Sequence, residues 1–257
     1  MTATIHATPN QKIYLLSDFH LGAPDYATSL VREKKVVAFL QSIEDCVAAV
    51  FIVGDIFDFW FEYKQVVPKG FVRLLGQIAK LTDKGVPVHI FTGNHDLWMQ
   101  DYFETELKCQ VHHGPQVFNF NTKTCYIAHG DGLGPGDKGY KFIKKIFTNR
   151  LCKWLFKWAH PDVGVSVANY FSRKSRAKTG NADAQFLGED KEWLICYSKD
   201  VLQKAHYDYL IFGHRHFPLD LIIGESHYIN LGDWINNFTY ASFDGINMEI
   251  DKWESAS

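Results

Sequence analysis

The sequence predicts an α/β fold in which a layered sheet is flanked by helices. Three observations predict it. Five short apolar runs read as buried strands: 12–18 (KIYLLSD), 48–55 (AAVFIVGD), 85–94 (GVPVHIFTGN), 123–131 (KTCYIAHGD) and 208–214 (DYLIFGH). Between the first three, segments 29–44 and 69–84 place apolar residues at helical period, and strands alternating with helices make layered sheets. The chain has 257 residues, 46% of them apolar, enough for a single domain with a sizeable core.

Each run ends in polar residues. The first strand leads into Asp18-Phe19-His20, and a helix over 29–44 follows. The second ends in Gly54-Asp55, ahead of the helix over 69–84. The third, Val88–Phe91, passes a Gly turn into Asn94-His95-Asp96. The fourth gives His129-Gly130-Asp131, and the fifth His214-Arg215-His216. Between these last two, the basic segment 138–178 reads as inserted helices, in an insertion reaching to about residue 200. After the fifth, the stretch 226–251 alternates polar and apolar residues between Gly and Asn turns, as hairpins do. No internal repeat or low-complexity tract interrupts the pattern.

Charge is unevenly spread. The net charge is −2, yet Lys138–Lys178 holds eleven Lys and Arg against one acid, Asp162, which leaves the remainder at −12. A segment of that kind is built to meet negative charge. The five cysteines (Cys46, Cys109, Cys125, Cys152, Cys196) form no C-x-x-C pair, which argues against a disulfide framework or cysteine zinc site and for a reducing compartment. The first residues, MTATIHATPNQK, have no apolar core, so no leader is expected. No run reaches the ~18 apolar residues of a spanning helix. The expectation is a cytosolic protein, soluble or peripheral to a membrane.

The polar residues past the strands gather at carboxyl ends, where open α/β sheets bind ligands. Two Asp, one Asn and four His (Asp18, His20, Asp55, Asn94, His129, His214 and His216) supply oxygen and imidazole donors without thiolate. Such a set suits Mn²⁺, Fe²⁺ or Zn²⁺ better than Ca²⁺. If the strand ends stay extended, Asp18 and His20 point the same way and can grip one ion. His214 and His216 can do the same or divide between two. Seven ligands suffice for two metals if one carboxylate bridges, and two ions ~3.5–4 Å apart clamp the attacking and leaving oxygens of a phosphoryl displacement. A lone D-x-H or G-D is commonly a polar turn; five in order, each after an apolar strand, are not coincidence.

This order, D-x-H, G-D, G-N-H-D, H-G and G-H-x-H, resembles the calcineurin-like metallophosphoesterases over nearly the whole chain. The resemblance implies a four-layer α-β-β-α sandwich. It also implies roles: Asp18, His20 and His216 on one metal, Asn94, His129 and His214 on the other, and Asp55 bridging. His95 would stabilise developing charge or protonate the leaving oxygen, oriented by Asp96. Local wording (SDFHLG, GDIFDFW, HGDGLGPGD, LGDWI) is similar to the UDP-2,3-diacylglucosamine diphosphatases (hydrolases) of lipid A synthesis. These split an acylated sugar nucleotide at its pyrophosphate, giving a lipid monophosphate and UMP, and carry a helical lid where this chain has its basic segment. The likeness implies two divalent ions, Mn²⁺ foremost, and a peripheral place at the inner face of the inner membrane. Asp137 and Tyr140 match that family's D-x-x-Y. Where many members have Arg after the motif-three Asn, this chain has His95, as a His-bearing branch does.

The insertion adds its own signal. Ile143, Phe147, Leu151, Trp154 and Trp158 share one helical face among Lys141, Lys145, Arg150, Lys153 and Lys157. A basic amphipathic helix of this kind suits a membrane surface or acyl groove, or else packs its apolar side inward as an ordinary lid. In FSRKSRAK (171–178), Arg173 and Arg176 suit a pyrophosphate, or a solvated surface. Nucleic acid is not expected, because the rest of the chain is acidic and backbone binding needs an extended positive track. Two alternatives stand beside the lipid-linked substrate: a soluble nucleotide or diester cleaved at the same site, and a non-catalytic scaffold.

Overall fold

The computed structural model describes residues 2–135, 138–167, 170, 186 and 188–254. Two six-stranded sheets face each other. One has the order β12-β11-β2-β3-β4-β5, from β2 (Lys12–Leu16), β3 (Val47–Val53), β4 (Val88–Phe91), β5 (Gln110–His112), β11 (Thr239–Phe243) and β12 (Met248–Lys252). The other has the order β1-β6-β7-β8-β10-β9, from β1 (Ala3–Ile5), β6 (Gln116–Phe120), β7 (Lys123–Ala128), β8 (Tyr209–Phe212), β9 (Pro218–Ile223) and β10 (Ser226–Leu231). Helices α1 (Tyr26–Ser42) and α2 (Val72–Asp83) cover the first sheet, and α7 (Trp193–Leu202) covers the second. The fold is the four-layer α-β-β-α sandwich.

Residue alternation explains the continuous apolar runs. In β2, Ile13 and Leu15 face the other sheet while Tyr14 and Leu16 face the helices; in β3, Phe51 and Val53 face inward and Val50 and Ile52 outward. A strand buried on both faces needs apolar residues at every position. β2, β3, β4 and β5 run parallel, as do β7, β8 and β10, so the carboxyl ends of β2, β3 and β4 in one sheet and of β7 and β8 in the other can feed one site.

The strands stop short of the predicted ends. β2 ends at Leu16 and β3 at Val53, because Asp18, His20 and Asp55 adopt left-handed backbone with φ of 58°, 44° and 51°. The tail also differs. Two hairpins form, β11–β12 and, begun just ahead of that stretch, β9–β10, and β10 also pairs in parallel with β8 in the other sheet. Helix α1 starts where the Asp25 carboxylate accepts from the Thr28 amide, 3.0 Å away.

Between β7 and α7 the chain inserts α4 (Lys138–Thr148), α5 (Arg150–Lys157) and α6 (161–167), with the short α3 (Tyr102–Thr105) earlier. The predicted single amphipathic helix is therefore two. Asn149 breaks it, its side-chain oxygen capping α5 by accepting from the Leu151 amide at 2.8 Å. Among the described residues no helix is long and apolar enough to cross a membrane.

Candidate metal centre

Five of the seven candidate ligands sit in left-handed backbone, His214 (φ 68°) and His216 (53°) joining Asp18, His20 and Asp55. This conformation costs an L-residue about 1–2 kcal/mol and persists only where its surroundings over-determine it. The surroundings do so. Asp18 and His20 donate their amides to the carbonyls of Gly54 (3.1 Å) and Asp55 (2.9 Å), and the His214 amide donates to Asp18 Oδ2 at 2.9 Å. Asp18 and His20 thus share a direction through repeated left-handed turns, not through an extended strand end as predicted. Three glycines make the close approach possible: a Cβ on Gly54 would collide with His129, on Gly93 with Asp55, and on Gly213 with Ser17 and Asp18.

The side chains converge. Asp18, His20 and His216 bring one potential ligand atom each within 4.8 Å of one another, and Asp55, His129 and His214 do the same. His216 Nε2 lies 3.3 Å from Asp18 Oδ1, and Asp55 Oδ2 lies 3.6 Å from His20 Nε2 and 3.4 Å from His129 Nε2. Asp55 thus sits between the two groups. His20, Asp55 and His95 form an overlapping third group. Asn94 follows Gly93, with its Oδ1 buried.

The residues fit divalent cations. Asp18 Oδ1, Asn94 Oδ1 and His129 Nε2 are buried with no hydrogen-bond partner, an arrangement that costs about 1–3 kcal/mol per group unless a ligand meets it. Charge points the same way. Against the cost of burial, His129 and His95 hold the Asp55 carboxyl far below the usual carboxylate range. Burial likewise disfavours protonated His216, yet Asp18 and Asp233 push its pKa up to about 10. His20, which burial dominates, falls to about 4. Two deep carboxylates that draw positive charge, among imidazole and amide donors, are what a borderline divalent ion requires.

Several supporting groups are not evident from sequence. The His129 Nδ1 lies 2.8 Å from the Val53 carbonyl, leaving Nε2 toward Asp55. His216 Nδ1 faces Asp233 at 3.4 Å, and Asp233 accepts from the amides of Asn236 and Asn237, both at 2.9 Å. The buried Arg32 donates from one nitrogen to the carbonyls of Phe19, His20 and Ala23 at 2.9–3.1 Å, clamping the first loop. Ser17 Oγ joins Asp18 to the Val53 carbonyl. Asp58 and Asp233 lie in the stretches GDIFDFW and LGDWI, whereas Arg32 has no sequence signal.

The Asp96 oxygens accept from the amides of Gly93 (2.6 Å) and Ile56 (2.8 Å), so Asp96 fixes the loops; burial and the charge of Asp55 push its pKa up to about 7. Beside His95 Nδ1 stands Asp58, its carbonyl 2.9 Å and its carboxylate 3.6 Å away. The His95 amide donates to Asp55 Oδ1 at 2.9 Å, and its ring meets His20 edge-on at 4.7 Å.

The insertion leans on the loops beside His95. Phe156 packs against Phe61 and Trp98 with ring centres 4.6 and 4.8 Å apart, Trp98 donates to the Phe147 carbonyl, and Lys144 pairs with Asp131. Leu151, Trp154, Leu155 and Trp158 are exposed, so α5 does not pack its whole apolar face inward. Asp137, Arg173 and Arg176 lie outside the described residues. Tyr140 falls in α4, and its side chain is likewise outside them. His89, buried against Phe51, stacks on the half-buried His112.

The calcineurin-like phosphoesterase family signature matches residues 11–218. The chain is similar to the UDP-2,3-diacylglucosamine hydrolase of Porphyromonas gingivalis (strain ATCC BAA-308 / W83), with 38% identity covering 95% of this chain and 98% of that one. It is also similar to the UDP-2,3-diacylglucosamine hydrolases of Histophilus somni (strain 129Pt), at 25% identity over 87% and 92% of the two chains, and of Shewanella baltica (strain OS185), at 26% over 91% and 95%.

Proposed function

The chain belongs to the calcineurin-like phosphoesterase family and is a phosphoester hydrolase, and on that premise we propose that it hydrolyses the pyrophosphate of UDP-2,3-diacylglucosamine. The products are 2,3-diacylglucosamine 1-phosphate and UMP. The observation that carries the substrate is the likeness to the Porphyromonas gingivalis hydrolase, which runs across nearly the full length of both chains and so spans the insertion as well as the strand-end loops.

In this reading Asp18, His20 and His216 would hold one divalent ion, Asn94, His129 and His214 would hold the other, and Asp55 would be shared by both. Manganese suits the donor set, with iron and zinc its competitors. When bound, such a pair neutralises charge on the attacking and leaving oxygens. The chain's own residues do the rest. Asp58 holds the His95 ring, leaving Nε2 to donate a proton to the leaving oxygen or to stabilise its charge. Asp96 and Arg32 keep the loops in register. The segment inserted between β7 and α7 acts as a lid, with Asp137, Tyr140, Arg173 and Arg176 on the polar part of the substrate. The exposed Leu151, Trp154, Leu155 and Trp158 meet acyl chains at the inner face of the inner membrane, which makes the enzyme cytoplasmic and peripheral.

The test is turnover of UDP-2,3-diacylglucosamine against bis(p-nitrophenyl) phosphate by the manganese-loaded enzyme. The expected result is a much larger kcat/KM for the diacylated sugar nucleotide, with UMP released. A preference for the soluble diester would reject the substrate while leaving the reaction class intact.

A further inference from the structure

The middle residue of the H-x-H motif is an arginine, and it is as buried as any aliphatic residue of the core: Arg215 and Glu192 are each 1% exposed. They meet as a bidentate pair, Arg215 Nε donating to Glu192 Oε2 at 3.0 Å and Nη2 to Oε1 at 2.9 Å. The guanidinium also lies over the Trp193 ring, 4.4 Å from its centre, with the Phe217 ring 5.3 Å away. Glu192 stands at the N-terminus of α7, where the insertion rejoins the sheet, and makes no side-chain cap to its own helix. Its carboxylate turns to Arg215 instead.

Stability alone is a poor reason for such a pair, since apolar residues of similar volume commonly do as well or better. Position supplies a reason. Arg215 donates its amide to the Gly213 carbonyl at 2.8 Å, a tight turn between the left-handed His214 and His216. His216 faces Asp18, and His214 groups with Asp55 and His129. We propose that Arg215, held by Glu192, is a positioning residue that sets His214 and His216 for metal and ties the end of the insertion to the centre. The proposal rests on the metal-centre reading given above.

Manganese binding and metal-free thermal stability, measured together, test it. The single variant Arg215→Met takes the bidentate donor from the buried Glu192 carboxylate and should be unstable. The double variant Glu192→Met/Arg215→Met removes both charges and refills the space, so a purely structural pair would recover stability and metal affinity together. The expected result is recovered stability with Mn²⁺ affinity still lowered roughly 10- to 100-fold, the usual consequence of losing a group that orients metal ligands, read from the free-Mn²⁺ electron paramagnetic resonance signal. Should the double variant fail to fold, Arg215→Lys, which keeps the charge without the fork, carries the test, and its affinity should fall as well. Wild-type affinity in either folded variant overturns the proposal. A wild-type protein that binds no Mn²⁺, Fe²⁺ or Zn²⁺ overturns the metal centre, and this proposal with it.

Discussion

Replacing Trp154 and Trp158 with serine should separate the diacylated substrate from a soluble one. Both side chains are open to solvent, 54% and 76% exposed, and touch each other with ring centres 5.9 Å apart. Surface substitutions of this kind change stability by about 0.5 kcal/mol or less, so the variants should fold. An aromatic side chain buries ~150–250 Å² when fully covered; the exposed part of each ring, roughly 100–200 Å², is what a lipid can still cover. At ~25 cal/mol/Å² that is an upper bound of about 2.5–5 kcal/mol, and partial contact brings it to ~1.5–3 kcal/mol, or a ten- to hundredfold change in affinity. KM for UDP-2,3-diacylglucosamine should therefore rise about ten- to a hundredfold per tryptophan. Hydrolysis of bis(p-nitrophenyl) phosphate should be unchanged, because the candidate ligands come from strand ends outside the insertion. Steady-state kinetics on both substrates, with a melting curve as the folding control, decides the matter. Equal effects on both substrates in a folded variant would refute the acyl contact.

His95→Ala should retain metal and lose about 10²–10⁴-fold in rate, with a smaller loss for a nitrophenolate leaving group if His95 is the acid and an equal loss if it stabilises charge; an unchanged rate removes it from the chemistry. Core histidine His89 gives a pH signature: burial first, and His112 second, hold its pKa at about 4, against ~6.5 in the unfolded chain. Its neutral form stabilises the fold above pH ~6.5, and that stability is lost as pH falls toward 4, by about 2 kcal/mol between pH 7 and pH 5. Urea midpoints should then fall less from pH 7 to pH 5 in His89→Phe than in wild type, and parallel losses would contradict the assignment.

The sequence reveals the centre more clearly than its support. Asp18, Asp55 and His129 stand at the ends of runs such as Tyr14-Leu15-Leu16, which are apolar at every position because Leu15 meets the other sheet while Tyr14 and Leu16 meet helices. Double-sided burial makes such strands, and the polar residues after them, conspicuous. The three-residue β1 and β5 carry half-exposed or exposed residues and leave little periodicity to read. Arg32, Asp58 and Glu192 act across 12, 37 and 23 residues of chain, through contacts that only the folded chain creates. The left-handed turns at Asp18 and His214 have only a weak signal in residue type, Asp and His being among those that tolerate that region; the bonds that hold them, from the Asp18 amide to Gly54 and from the His214 amide to Asp18, exist only in the folded chain.

The central claim is that one carboxylate joins two metal sites at the strand ends. Metal content per chain, measured after manganese loading and gel filtration for wild type, His216→Ala and Asp55→Ala, tests it most directly. Asp55 lies between the two groups, 3.6 Å from His20 and 3.4 Å from His129, whereas His216 belongs to one of them. Wild type should hold two ions, since a bridged pair is the arrangement that clamps both oxygens of the displacement. His216→Ala should weaken one ion, and Asp55→Ala should weaken both and abolish UMP release. A fully occupied pair in folded Asp55→Ala, or undiminished turnover by metal-stripped wild type, would contradict the dinuclear centre.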